Sequence, residues 1–163
     1  SCNDQLDTIL AAEELALQIL DVIAADDDLV FAGEGRVALE QRFGPVDTDD
    51  VQRIFSTYAL VDVNLVNTTY QCRSETDTDC SGDFAGAFAR TSFTSATVRL
   101  CPAYFDSFTG ANTQASVLIH EATHQNRNSP NGVGTVDEGF PSVFSASSFE
   151  LYALGCVDGD CLR

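Results

Sequence analysis

Val117-Leu118-Ile119-His120-Glu121-Ala122-Thr123-His124 decides how this chain is read. An apolar turn runs into H-E-x-x-H, and His120 and His124 are the two His of the whole sequence. The surrounding residues, Thr113 to about Arg127, have helical periodicity, with Asn112 or Thr113 as the expected N-cap. On a helix the i, i+4 spacing places both imidazoles on one face, close enough to share a metal ion, with Glu121 beside them. Neutral imidazole suits Zn2+, and a catalytic zinc site uses three protein ligands and keeps a position open for water. The metal lowers the pKa of water and polarises a carbonyl, and Glu121 is placed to take the proton and pass it to a leaving amine. The third ligand is not another His, because Arg127 and Pro130 stand where H-E-x-x-H-x-x-G-x-x-H would have its Gly and last His. An acid must serve, and Asp137, Glu138 and Glu150 are the downstream candidates.

Upstream of this helix the chain changes character twice. Leu6, Ile9, Leu10, Leu17, Leu20 and Ile23 recur at helical spacing among acidic residues, which predicts a first helix capped by Asn3 or Asp4 and finished before Asp26-Asp27-Asp28. Further helices are predicted near Arg36–Arg42, ending before Gly44-Pro45, and from about Asp49 to Leu60. From about Asn64 to Cys101 the residues are rich in Thr, Val, Phe, Ser and Gly, and Thr69–Cys72, Phe84–Arg90 and Thr97–Leu100 read as short strands. A last helix is predicted from about Ser145 to Leu154. Helices, a small sheet, then helices make an α+β domain, and 163 residues suit a single domain spanning 1–163.

Composition narrows the function. Apolar residues are 44% and charged residues 20%, which fits a globular chain with a sizeable core and excludes a disordered one. All eight basic residues are Arg, against 25 acids, for a net charge of −17. That charge opposes binding to nucleic acid or to an anionic membrane surface and favours cationic partners. No apolar run approaches the roughly 20 residues of a membrane span. Met is absent, even at position 1, and the six Cys (Cys2, Cys72, Cys80, Cys101, Cys156 and Cys161) lack the paired spacing of a zinc ribbon. With the glycosylation sequon at Asn67-Thr68-Thr69, these features predict a processed, secreted extracellular chain with three disulfides.

His120-Glu121-Ala122-Thr123-His124 followed by Gly134-Thr135-Val136-Asp137 resembles the fungal aspzincins, which include deuterolysin and the peptidyl-Lys metalloendopeptidases. Ser1-Cys2 before a long helix, Val98-Arg99-Leu100-Cys101 and Thr113-Gln114-Ala115-Ser116 are similar to the Lys-specific branch. Ser148-Phe149-Glu150-Leu151-Tyr152 resembles the deuterolysin C-terminal helix, with Ser147 at a usual Asp. The resemblance implies Asp137 as the third ligand of one Zn2+ per chain, beside His120 and His124, with Glu121 as general base. It also implies a mainly helical, zincin-like α+β fold with a small, mostly antiparallel sheet and a metal-binding active-site helix. The expected activity is that of a secreted zinc metalloendopeptidase, with a protein or peptide as substrate and a monomer as the working form. The charge favours basic substrates, but Lys specificity is not assigned. Cys2–Cys72 and Cys80–Cys101 are the pairs that the Lys-specific branch implies, while Cys156–Cys161 rests on nearness in sequence.

One departure from the family bears on catalysis. The family pattern G-T-x-D-x-x-Y-G carries a Tyr that binds the oxyanion, and here Phe140 and Pro141 stand at the Tyr and Gly. Losing one such donor costs roughly 10²–10³ in rate. The alternative reading is therefore a zinc-binding relative with weak or no peptidase activity, acting as a binding protein or effector. An amidase acting on unusual peptide bonds is a third. Tyr104, Tyr152 and Arg127 are candidate replacement donors.

Overall fold

The computed structural model describes residues 2–31, 36–84, 86–91, 96–106, 109–125, 135–137 and 140–157, and the side chains of 26–31 and 84 are outside that description. Helix α1 (Leu6–Phe31) opens after a 3-10 turn over Asn3–Gln5. Ile9, Ala12, Ala16, Ile19, Leu20 and Ile23 form its buried stripe, which faces α3 (Thr48–Leu65) and α4 (Ala111–His124). The helix runs through Asp26-Asp27-Asp28 instead of ending before them. Acidic residues near a helix C-terminus cost only about 0.3–1 kcal/mol each, too little to stop a helix that meets no Gly or Pro. The turn before α1 has Cys2 at its N-cap, without a side-chain cap bond, and takes up Asn3 and Asp4, the residues expected to cap the helix.

Helix α2 (Arg36–Phe43) ends at Gly44, whose φ of +79° is open to glycine at no steric cost. Helix α3 begins earlier than its apolar stripe suggests because Asp47 and Asp50 form a reciprocal capping box, with N–H···O distances of 2.9 and 3.2 Å. It also runs longer. Val61 and Leu65 continue the stripe of Val51, Ile54, Phe55 and Tyr58, and beyond them Asn67 and Thr68 donate to the carbonyls of Val63 and Asn64.

Strands β1 (Thr69–Cys72), β2 (Ala89–Arg90) and β3 (Thr97–Leu100) form one sheet in the order β1-β3-β2. Its longer pairing, Thr69↔Thr97 to Cys72↔Leu100, is parallel, and only the two-residue β2–β3 pairing is antiparallel. The sheet is thus mixed and not mostly antiparallel. The long connection between β1 and β3 has room for the crossover that parallel pairing needs. The strand expected over Phe84–Arg90 shrinks to Ala89–Arg90, since Gly82-Asp83-Phe84 forms a 3-10 turn and Gly82 and Gly86 take φ of +61° and +87°.

Disulfides Cys2–Cys72 and Cys80–Cys101 are formed, the two pairs that the resemblance implies. The first ties the N-terminus to β1 across 70 residues and so removes much freedom from the unfolded chain. Cys156 is disulfide-bonded, and Cys161 lies outside the described residues. Helix α5 (Ala146–Val157) completes the core with Phe149 and Tyr152, whose rings meet Phe43 and Tyr58 at centroid distances of 4.9–6.1 Å. The Tyr58 hydroxyl donates to the Phe149 carbonyl at 2.7 Å. The packing leaves α4 in the middle, against α1, α3, α5 and strand β2.

Candidate active site

That central position explains the composition of α4. Ala115, Ser116, Leu118, Ile119 and Ala122 are fully buried on several sides of it, so small and apolar residues recur all round the helix. Its N-cap is Gly110, one turn edge earlier than Asn112 or Thr113, and it stops at His124. Gln125 leaves the helix with ψ of +60°. The end is held from α3: the Asn64 amide donates to the carbonyl of Gln125 at 2.8 Å and to that of Ala122 at 3.1 Å, the latter also accepting from the Gln125 backbone N–H at 3.2 Å.

The chain then returns to the same helix face. Val136 pairs with Ser145, and Thr135 Oγ1 lies 2.7 Å from Thr123 Oγ1. These contacts deliver Asp137 to the histidines. Its Oδ1 lies 2.9 Å from His120 Nε2 and 3.0 Å from His124 Nε2. The two imidazole rings stand 5.0 Å apart and nearly perpendicular, at 80°. His120, His124 and Asp137 are also the His/Cys/Asp/Glu group, among the described residues, whose ligand atoms come close enough to hold one metal ion.

The Nδ1 atoms test that fit. His124 Nδ1 lies 2.8 Å from the carbonyl of Thr135, which can only accept, so Nδ1 carries the proton. His124 Nε2 then presents a lone pair to a carboxylate oxygen 3.0 Å away, an arrangement that calls for a cation between them. His120 Nδ1 lies 3.0 Å from Glu150 Oε2. Two imidazole nitrogens and one carboxylate oxygen are a donor set that zinc favours.

The electrostatics follow from this crowding. Burial by itself would lower the His120 pKa, but hydrogen bonds to Asp137 and Glu150, with the charge of Glu121, push it up to about 10. Burial lowers His124. The His120 hydrogen bond leads the causes that hold Asp137 down at about 2. Glu121 is raised to about 7, by burial first; the charge of Asp137 adds to this, while His120 and Arg90 oppose it. Its Oε2 is buried without a hydrogen-bond partner, so it is free to accept a proton.

The other sequence candidates are sorted by position. Glu150 contacts the ring nitrogen of His120 that faces away from Asp137. Glu138, Arg127 and Pro130 lie outside the described residues. Tyr104 is fully buried, with its hydroxyl donating to the Gln114 carbonyl, and Tyr152 belongs to the aromatic core. Phe140 is 49% exposed. Asn67 is exposed beyond α3. The contacts made by Asn64 carry no motif signal; Thr135 and Ser116 lie in stretches that resemble the family, but their contacts depend on packing between distant segments.

The fold is similar to that of a zinc peptidase from Grifola frondosa, with a TM-score of 0.75, 21% identity, and coverage of 96% of this chain and 98% of that one. No curated protein matches the chain at a significant level. The profile of the aspzincin family, described as lysine-specific metallo-endopeptidase, matches residues 33–144. That match takes in α4 and Asp137 as well as the sheet, and the chain belongs to the aspzincin family of metallopeptidases.

Proposed function

We infer that the chain is a secreted zinc metalloendopeptidase, working as a single domain. The observation that carries this is the convergence of His120 Nε2 and His124 Nε2 on Asp137 Oδ1 beside the buried Glu121. These three residues would hold one Zn2+, and bound there zinc supplies Lewis-acid chemistry that acidifies water and polarises a peptide carbonyl. Glu121 accepts a proton from water as the water oxygen adds to the peptide carbonyl carbon, and delivers it to the leaving nitrogen as the C–N bond breaks, which turns the amide nitrogen into a good leaving group. A buried carboxyl whose Oε2 has no hydrogen-bond partner is placed to do both in turn. The Thr135 carbonyl orients His124 by accepting from its Nδ1. The negative surface steers substrates with basic stretches toward the site. Oxidising surroundings agree with the disulfides, and no described helix is long and apolar enough to cross a membrane.

The second reading, a slow or inactive zinc-binding relative, is supported by Phe140. Its ring has no donor, and Tyr104 and Tyr152 lie buried in the core. Digestion of casein with and without a zinc chelator separates the two. The peptidase reading expects cleavage that stops on chelation and returns with added zinc. Zinc binding without cleavage would establish the second reading.

A further inference from the structure

His120 is held from two sides, and the side away from Asp137 belongs to another helix. Glu150 on α5 places Oε2 at 3.0 Å from His120 Nδ1 and Oε1 at 3.2 Å from Ser116 Oγ. Ser116 and His120 are four residues apart on α4, so one carboxylate bridges two successive turns of a single helix face. Ser116 is fully buried, α5 packs against α4, and Phe149 next to Glu150 is fully buried against Phe43 and Tyr58. The carboxylate therefore sits on a rigid support.

We propose that Glu150 is a positioning residue of the metal site, acting through His120. The proposal rests on the zinc assignment made above. An ionised carboxylate can only accept, so Nδ1 keeps its proton, and Nε2 is the nitrogen whose proton a metal ion would replace on the Asp137 side. Ser116 Oγ, whose one proton faces both the Thr113 carbonyl at 2.9 Å and Oε1 at 3.2 Å, gives the carboxylate a second, weaker contact on α4. The negative charge behind His120 makes the imidazole a stronger ligand. His124 is backed by the neutral carbonyl of Thr135, so the two histidines are unequal and His120 has the stronger support. The same geometry keeps Glu150 out of the ligand set, since the two nitrogens of an imidazole point away from each other.

The test is zinc affinity, read by competition with a chromophoric chelator, in wild type, Glu150→Gln, Glu150→Leu and His120→Ala. Glu150→Gln keeps an acceptor oxygen and loses the charge, so zinc Kd rises about 10-fold; Glu150→Leu loses both, and Kd rises up to about 100-fold. At saturating zinc, kcat falls with KM unchanged. The Co2+ absorption spectrum shifts in Glu150→Leu and returns toward wild type in Glu150→Gln. Wild-type Kd in both variants overturns the proposal. Zinc loss as complete as in His120→Ala also overturns it and makes Glu150 a ligand. Retention of zinc by His120→Ala would instead bring down the assignment of the site, and the proposal with it.

Discussion

Asn64→Ala isolates the clamp that holds the end of the active-site helix. The Asn64 amide donates two hydrogen bonds, at 3.1 and 2.8 Å, to the carbonyls of Ala122 and Gln125. Each such bond contributes about 1 kcal/mol net, so the pair contributes about 2 kcal/mol. For a chain of this length that corresponds to a fall of about 4–8 °C in Tm. The substitution removes no zinc ligand. Yet the freed turn carries His124, so zinc binding weakens with stability. Asn64→Asp is the sharper control, because a carboxylate offers only acceptors to two carbonyl oxygens at the negative end of a helix. It should destabilise more than Asn64→Ala despite its closer shape. Urea unfolding of the zinc-free proteins gives the energies, and chelator competition gives the zinc affinities. A change under about 0.5 kcal/mol for Asn64→Ala, within the range of neutral surface substitutions, would refute the reasoning.

Replacing His120 or His124 by Ala should abolish stoichiometric zinc, measured by metal analysis after dialysis. Glu121→Gln should retain zinc and lose about 10²–10⁴ in kcat, because the amide cannot take the proton of water; undiminished turnover would remove Glu121 from the mechanism. Phe140→Tyr restores the hydroxyl that the family places here, and a gain in kcat approaching about 10², with KM little changed, is expected in peptide hydrolysis at equal zinc occupancy. Without metal, the His120 contribution to stability is complete below its unperturbed pKa of 6.5 and lost as pH rises through about 10. The Asp137 contribution, with the opposite pH dependence, is present above 3.8 and lost as pH falls through about 2. Thermal midpoints of chelator-treated protein should fall at both ends, and a flat profile for wild type that matches His120→Ala would count against the ion pair.

The strongest parts of the sequence reading were those in which chemistry lies within one turn of chain. His120, Glu121 and His124 share a helix, and the i, i+4 spacing alone puts both rings on one face. Strands Thr69–Cys72 and Thr97–Leu100 were legible for a similar reason, because short runs of β-formers are bounded by turn residues. Helix ends were less so. The Asp47–Asp50 box lengthened α3 and no side chain caps α4, and neither follows from apolar periodicity. Strand direction was also hidden, since parallel and antiparallel neighbours can share one residue pattern. The third ligand shows the limit most clearly. Asp137 and Glu150 are both acids downstream of the motif, and spacing along the chain allows either. Family resemblance favoured Asp137, but composition and periodicity could not. In the folded chain Asp137 meets Nε2 of His120 and Glu150 meets Nδ1, so one imidazole divides the two carboxylates between its two nitrogens. Sequence alone determined that His120, Glu121 and His124 share one helix, because local spacing is covalent. Only tertiary structure decided which acid meets Nε2 of both histidines, because that depends on how α5 and the loop bearing Thr135 pack against α4.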